Sequence, residues 1–356
     1  MTHPPIPPGT RDVLPDEMRE LRRLEDALRA AFERYGYGEV ATPAIEYHEV
    51  LARGDTGGDT PLGYASPQGA PSAYRFFDEL GELLALRSDM TIPIARLVAS
   101  RFAGAEPPFR FAYIGSAYRA VRPQRGQARE FRQAGVELIG AEAPDGTAEV
   151  VEVLAAALDG AGLGRAVIGL GDADLYRQLL DELGVVREPR QAILDCLAGH
   201  DLVGLEAAVD EIAGLDGGAR ETLLRLPGLR GDRSVLDRAH ELGGGAVERA
   251  TARLQATYEA LAARGVADRV KLDLGLLRDL GYYTGAIVEV YDPALGHVLG
   301  GGGRYDELVG RFGRNLPAAG FALYVERLHI AQAEEERIGR PSPGAGRQGS
   351  DPGTGS

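Results

Sequence analysis

The chain has 356 residues and a formal net charge of -14 at pH 7, with 44% hydrophobic and 26% charged residues. This length and composition are typical of a soluble globular protein with a sizeable core, and the acidic balance argues against a broad binding face for tRNA or DNA. No stretch approaches the roughly 20 apolar residues that span a bilayer, and the amino terminus lacks a signal-peptide pattern, so we expect a cytoplasmic protein.

The first predicted element is an amphipathic helix that ends before Gly36. It begins at Pro15, because the first turn of a helix tolerates proline. Its apolar positions recur at spacings of three or four residues, which predicts one buried stripe. These positions are Leu21, Leu24, Leu28 and Phe32.

A strand and a loop follow the helix. The segment EVATPAIEY, residues 39–47, is predicted as one strand, and Pro43 favours an edge position or an interface. The next stretch, 54–72, is rich in glycine, proline and serine and lacks periodicity, so we predict a flexible loop. The composition from Gly54 to Gly69 would permit this loop to close over a pocket.

Two hairpins come next. The segment YRFFDELGELLALR, residues 74–87, predicts a hairpin that turns near Gly81 and leads into a helix from Thr91. FRFAYIGSAYRAV (109–121) and AREFRQAGVELIG (128–140) predict the two strands of the other hairpin, joined by the turn-rich loop RPQRGQ.

The return strand of the second hairpin has one mixed face. Period-two alternation puts Arg129, Phe131, Gln133, Gly135 and Glu137 on the same side. A plain hydrophobic core would not select a cation, an amide and a carboxylate. This face is therefore a candidate binding surface, and a solvated strand face is the alternative.

The predicted secondary structure changes after this hairpin. Residues 172–265 consist of helical runs, and strand character returns from residue 266. We predict one α+β domain whose two parts, 1–171 and 266–338, are separated by a helical insertion. The tail 339–356 has no core-forming residues and is predicted to be disordered.

Several catalytic motifs are absent from the sequence. The glycines at 300–303 precede Arg304 and Tyr305 rather than Lys and Ser or Thr, so there is no P-loop. The six histidines are dispersed and none pairs with Cys196 at ligand spacing, so we expect no metal and no cofactor. A buried structural thiol is the simplest interpretation of Cys196, and no G-x-S-x-G supports a serine hydrolase.

Four separated stretches together resemble the catalytic domain of histidyl-tRNA synthetases. They are PPGTRDVLPDE, AYRAVRPQRGQAREFRQAGVELIG, LRDLGYYTG, and GGGGRYDELVGRFG with AAGFALYVERL. They occur in the family's order and at comparable spacing, up to about Ile338. The resemblance implies an α+β fold of class II aminoacyl-tRNA synthetase type, an antiparallel sheet flanked by helices, with a helical insertion between the second and third motifs.

The resemblance also implies a pocket for histidine. Asp89 and Thr91 match the positions that hold the ligand's ammonium group. Histidine presents an ammonium, a carboxylate and an imidazole, so its pocket needs carboxylates, an amide and hydroxyl groups. The full predicted set is Asp89, Thr91, Arg119, Gln133, Glu137, Arg278, Tyr282 and Tyr283. The alternative for the two tyrosines is that they only pack a core.

The ATP site departs from the synthetase pattern. Where the second motif carries a glutamate that reads adenine, this chain has Val121, which accepts no hydrogen bond. Tyr324 replaces a small glycine in the third motif, Gly281 replaces an aspartate, and Arg119 and Arg327 are retained. These changes would weaken nucleotide binding, so we expect a degenerate ATP site at Val121, Tyr324 and Arg327.

With these changes and no anticodon-binding segment after the third motif, the sequence is similar to the regulatory subunits of ATP phosphoribosyltransferase. That resemblance implies a subunit without catalysis of its own in the first step of histidine biosynthesis. It would activate a short-form catalytic subunit and pass on feedback inhibition by histidine. The implied assembly is a homodimer through the class II core within a hetero-octamer, without tRNA.

Two other hypotheses stay open at this point. A short synthetase-like enzyme that activates histidine with ATP would use the retained Arg119, Arg278 and Arg327, and a scaffold without ligand would use none of the pocket. For Arg122, Arg125 and Arg132 we favour ordinary exposed charges, because surface arginines contribute little individually.

Overall fold

The computed structural model describes residues 6–54, 73–120, 128–277, 281–293, 295 and 297–339. Its helices are α1 (Pro15–Arg34), α2 (His48–Gly54), α3 (Thr91–Arg101), α4 (Asp145–Gly160), α5 (Leu175–Glu182), α6 (Arg187–Ala198), α7 (Leu202–Asp210), α8 (Gly217–Arg225), α9 (Ser234–His240), α10 (Gly245–Ala263) and α11 (Val325–Gly339). Its strands are β1 (Gly38–Glu39), β2 (Ile45–Tyr47), β3 (Arg75–Phe77), β4 (Leu83–Leu86), β5 (Phe109–Tyr118), β6 (Glu130–Ile139), β7 (Val167–Asp172), β8 (Arg230–Gly231), β9 (Val270–Asp273), β10 (Ala286–Tyr291), β11 (Val298–Arg304) and β12 (Ala318–Tyr324).

A nine-stranded sheet forms the centre of the molecule, in the order β1-β5-β6-β12-β11-β10-β7-β9-β8. Its middle strands, from β5 to β7, are antiparallel throughout, as predicted. The pairs β1–β5 and β7–β9 are parallel, so the whole sheet is mixed. The architecture is the α+β fold expected for a class II synthetase-like chain.

The predicted amphipathic helix is confirmed as α1. Pro15 is its first residue. Asp16 and Glu17 lie in the first turn, where their negative charges interact favourably with the positive end of the helix dipole. Leu21, Leu24, Leu28 and Phe32 are all buried. They join a hydrophobic core that also contains α4 and one face of the central sheet.

The two faces of the central sheet differ in chemistry. On β6, Ala134, Val136 and Leu138 point into the main hydrophobic core. Gln133 and Glu137 alternate with them and therefore lie on the opposite face. That opposite face meets the small sheet β2-β4-β3, helix α3 and a second apolar cluster.

The prediction of one strand over residues 39–47 is wrong. Strand β1 of the central sheet ends at Glu39, and residues 45–47 form β2 of the small sheet. Val40 N–H still donates to Ala112 of the central sheet, at 2.8 Å. Pro43 lies in the link between the sheets, where its missing N–H breaks no ladder. The hairpin β3–β4, with Gly81 at positive φ in its turn, is confirmed.

Helices α5–α10 occupy the chain between β7 and β9, and the short strand β8 within this segment was not predicted. The segment shares one hydrophobic core with the central sheet, so its division at residues 172 and 265 stays a prediction. Cys196 of α6 is a free thiol and is half-buried rather than buried. In the described ranges, no helix is both long and apolar enough to cross a membrane.

Two predicted segments lie largely outside the described residues. The loop predicted to be flexible begins at Gly54, which ends α2, and residues 55–72 are not described. Helix α11 runs to Gly339, the first residue of the predicted tail, and the remainder of that tail is also outside the described part.

Candidate functional site

The predicted pocket residues meet on the face of the central sheet that looks away from the main core. Cross-strand register pairs Glu137 with Gly320 and Gln133 with Tyr324. Directly opposed residues in an antiparallel pair project to the same side. A Cβ atom on Gly320 would clash with Glu137 Oε2, so glycine leaves the room that this carboxylate needs.

Glu137 is the centre of this site and is only 1% exposed. Its Oε1 accepts a 2.7 Å hydrogen bond from the Thr91 hydroxyl, and its Oε2 accepts one from the Tyr305 hydroxyl. Burial raises the pKa of Glu137 to about 8, although these hydroxyl donors act in the opposite direction. The nearby Asp89 carboxylate raises that pKa further.

Tyrosine rings enclose the carboxylate. The rings of Tyr282 and Tyr283 have centroids 4.9 Å apart, and Tyr305 contacts Tyr282 edge-on at 5.8 Å. All three are at most 5% exposed. Burial raises the pKa of Tyr282 and of Tyr305 well above the ordinary value for tyrosine, so both hydroxyls stay protonated as donors.

Gln133 has an unused acceptor. The side chain is 3% exposed, and its buried Oε1 has no hydrogen-bond partner in the part of the chain that the structure describes. A buried acceptor without a partner costs about 1–3 kcal/mol. A ligand that donates an N–H at this position would remove that cost.

The junction between β4 and α3 supplies the remaining acidic group. Asp89 Oδ1 accepts the Ile92 N–H at 3.0 Å and so satisfies one of the free donors at the start of α3. Thr91 is the first residue of that helix. The short path from Asp89 to Thr91 keeps both side chains beside Glu137, whose pKa responds to both.

The retained arginines of the expected nucleotide site form an aromatic stack. Arg119 lies over the Phe131 ring at 4.7 Å from its centroid and donates a 3.3 Å hydrogen bond to the Tyr324 hydroxyl. Arg327 lies over the Tyr324 ring at 4.4 Å. The phenol is thus held between two guanidinium groups.

The structure therefore brings together six of the eight predicted histidine-site residues. These are Asp89, Thr91, Gln133, Glu137, Tyr282 and Tyr283. Arg119 lies at the edge of the pocket, because its partner Tyr324 pairs with Gln133. Arg278 and Val121 are outside the described residues. Within the described ranges, no cluster of His, Cys, Asp and Glu side chains suits a metal ion.

Two alternatives drawn from the sequence are wrong. A solvated strand face is excluded, because Gln133 and Glu137 are buried. Arg132 is no ordinary exposed charge, since its guanidinium pairs with the buried Glu25 and its backbone N–H donates to Glu326. Arg122 and Arg125 lie outside the described residues.

Sequence reasoning missed two hydroxyl groups of the site. Tyr305, in the glycine-rich segment GGGGRYDELVG, had no predicted role, yet its hydroxyl donates to Glu137. Tyr113 of β5 is fully buried, and its hydroxyl donates to the Phe321 carbonyl at 3.3 Å. Gly115 pairs with Gln133 across the hairpin, and Tyr113 is two residues before Gly115 on the same strand. Alternation along β5 therefore places the Tyr113 side chain on the pocket face, and this pattern could have identified it.

Comparisons with known proteins agree with this geometry. The family model for histidyl-tRNA synthetase matches residues 9–328. A solved structure from Bacillus halodurans, described as an ATP phosphoribosyltransferase regulatory subunit/histidyl-tRNA synthetase, has a TM-score of 0.82 and 33% identity. The match covers 93% of this chain and 84% of that one.

Two curated relatives are more similar in sequence. The ATP phosphoribosyltransferase regulatory subunit of Moorella thermoacetica is 41% identical over 331 residues, which cover 92% of this chain and 82% of the relative. That of Symbiobacterium thermophilum is 42% identical over 337 residues, with 94% and 82% covered. Such identity over nearly the whole chain, on a synthetase-like fold, shows that the chain belongs to the family of ATP phosphoribosyltransferase regulatory subunits.

Proposed function

We propose that this subunit performs no catalysis of its own and senses histidine for a short-form catalytic subunit of ATP phosphoribosyltransferase. It would support the first step of histidine biosynthesis and pass on feedback inhibition. The observation that carries the proposal is the buried Glu137 with its hydroxyl donors, next to the unused acceptor of Gln133. Such a site is adapted to a ligand that brings its own cation and N–H donors.

The chemistry of the pocket fits the three polar groups of histidine. Asp89 and Thr91 would receive the ammonium group, and Glu137 and Gln133 would accept N–H donors of the ligand. Tyr282 and Tyr283 supply an apolar boundary of two tilted rings with polar tips, which suits an imidazole ring. Arg119 at the pocket edge and Arg278 would be further ligand contacts in this proposal.

The aromatic stack supports the absence of catalysis. A nucleotide bound as in a synthetase would need Arg119 and Arg327 free for phosphate and an open space beside the third motif. Both guanidinium groups instead lie on aromatic rings, with Tyr324 between them. Val121 at the position of the adenine-reading glutamate acts in the same direction.

The proposed assembly follows from the relatives' name. A regulatory subunit requires a catalytic partner, and we propose a homodimer through the class II core within a cytoplasmic hetero-octamer. The net charge of -14 opposes binding of tRNA. For regulation, histidine must bind two states of the assembly with different affinity, and a coupling of about 1–3 kcal/mol is enough.

Calorimetric titration of the purified chain with histidine, followed by ATP in the same cell, tests the proposal. We expect heat from histidine and none from ATP. Reconstitution with a short catalytic subunit should then restore transferase activity, and histidine should inhibit it in the wild type but not with Glu137→Ala. Absence of heat on titration with histidine would refute the proposed sensor role.

A synthetase-like enzyme is the second candidate, because Arg119 and Arg327 are both retained. Histidine-dependent exchange of pyrophosphate into ATP measures it directly. Exchange above background, lost in Arg119→Ala, would replace the regulatory proposal with an enzymatic one.

A further inference from the structure

Arg87 is a buried arginine beside the pocket that the proposed function leaves without a role. It directly follows β4 and is 6% exposed. Its Nε donates to the Ser116 carbonyl at 2.8 Å, and its Nη1 donates to the carbonyl of Thr42 at 2.5 Å and to the hydroxyl of Thr42 at 3.2 Å. A longer bond reaches the Pro43 carbonyl at 3.3 Å. Every one of these acceptors is electrically neutral.

The second terminal nitrogen of Arg87 is placed differently. A Cβ atom on Gly115 would lie 2.9 Å from Nη2, so glycine at this position of β5 makes room for the guanidinium. Gly115 is the cross-strand partner of Gln133. Because opposed residues project to the same side at a separation of about 5 Å, Nη2 lies on the pocket face next to Gln133.

Nη2 has no hydrogen-bond acceptor among the residues that the structure describes. Burial lowers the pKa of Arg87, while the phenol of Tyr118 and the carboxylate of Asp89 act in the opposite direction. Two unused N–H donors on a guanidinium that is otherwise buried are stabilised most by an anion, and carboxylate matches the planar geometry of the group.

We propose that Arg87 Nη2 contacts the carboxylate of the bound amino acid, beside the Gln133 amide, and makes the pocket selective for a free α-carboxylate. This inference rests on the proposed function, because it assigns a residue to the same pocket. It differs from the prediction for Arg119, whose guanidinium is already stacked on Phe131 and bonded to Tyr324.

The test compares L-histidine with L-histidinol, in which a hydroxymethyl group replaces the carboxylate. Both are titrated into the wild type, Arg87→Met and Arg87→Lys by calorimetry. Loss of a charge-assisted contact should weaken histidine binding about 10-fold to 100-fold in Arg87→Met. Histidinol binding should change by no more than about twofold, so the preference for histidine collapses.

Melting temperatures show whether Arg87→Met folds. If it does not, Arg87→Lys takes its place in the test, because lysine keeps the positive charge. One ammonium group cannot reach Ser116, Thr42 and a ligand together, so its preference should also fall several-fold. Arg314→Lys is the matched control, because Arg314 donates to the carbonyls of Phe102 and Ala105 away from the pocket. This control should leave the affinities for both ligands unchanged.

The outcomes separate this inference from the proposed function. If both Arg87 variants lose affinity for histidine and for histidinol to the same extent, Arg87 only supports the fold. The inference then fails, while the proposal of histidine sensing stands. Arg119→Met is titrated with the same two ligands, and collapse of the preference in this variant alone gives the carboxylate to Arg119 instead. Failure of the wild type to bind either ligand overturns the proposed function and this inference together.

Discussion

Glu137 accepts the Thr91 hydroxyl at 2.7 Å, and this hydrogen bond joins strand β6 to the first residue of α3. The two residues are 46 positions apart in the chain. The bond orients a carboxyl group that is almost fully buried, at a point where Asp89 already accepts an N–H of the first helical turn. The pocket is therefore assembled by packing of the helix against the sheet.

Thr91→Val should weaken histidine binding. Valine preserves the shape of the side chain but removes a donor to Glu137. This hydrogen bond should strengthen when the carboxyl group ionises in the complex, and hydrogen bonds to charged groups contribute about 1.5–3 kcal/mol. We expect a loss of roughly 10-fold to 100-fold in affinity, measured by calorimetry. Thr251→Val is the control, since Thr251 is a buried threonine of α10 that donates to the Val247 carbonyl. Equal effects of both changes would contradict a specific role for Thr91.

The raised pKa of Glu137 should appear in the pH dependence of stability. The folded protein holds the proton up to about pH 8, whereas the unfolded chain releases it near the ordinary value of 4.5. The folded state thus binds more protons between these values, and the free energy of unfolding should fall as pH rises, by up to about 1.4 kcal/mol per pH unit. Urea denaturation at several pH values measures the slope.

Glu137→Gln is the control for this slope, because glutamine keeps the shape and does not titrate. Subtracting its unfolding free energies from those of the wild type isolates the contribution of one carboxyl group. Identical slopes in the two proteins between pH 5 and pH 8 would show that Glu137 ionises at an ordinary pKa.

Histidine binding should release a proton at pH 7. The unliganded Glu137 is largely protonated at this pH, and a cationic ligand favours the ionised carboxylate. Titrations in two buffers of different ionisation enthalpy should give different apparent heats, with up to one proton released. The difference should vanish in Glu137→Gln, and proton uptake would contradict the assignment.

Gly320→Ala should disrupt the site and lower stability. The new methyl group would clash with Glu137 Oε2 and lie 2.5 Å from the Val136 carbonyl oxygen. Overpacking of this kind costs about 1–3 kcal/mol. Gly38→Ala is the matched control, because a Cβ atom on this strand glycine meets nothing within 4 Å. Thermal melts and histidine titrations of both variants provide the comparison.

The sequence predicted those elements that depend on a pattern within a single segment. The helix α1 and the two hairpins follow from apolar periodicity and turn residues within one segment, and all three are confirmed. The mixed face of β6 also followed from alternation, because Ala134, Val136 and Leu138, which alternate with Gln133 and Glu137, are all apolar.

Contacts between distant segments were beyond such patterns. Residues 39–47 look like one strand, but Val40 bonds to β5 while Ile45 pairs with β4, and only the packing of two sheets divides them. Tyr305 reaches Glu137 across 168 positions. The charge of Arg132 looked ordinary until the fold placed Glu25 of α1 beside it.

Tyr324→Gly should reveal whether the aromatic stack closes the nucleotide position. The change restores the small residue of the synthetase pattern and removes a ring that lies 5.5 Å from the Phe131 ring and 4.4 Å from the Arg327 guanidinium. The loss of these half-buried contacts should lower the free energy of unfolding by about 1–3 kcal/mol. Release of both arginines should in turn allow weak ATP binding.

Tyr324→Phe is the control, because it loses only the hydroxyl that accepts from Arg119, and it should give no heat with ATP. Equal heats for the wild type and Tyr324→Gly on titration with ATP would show that the phenol does not control access.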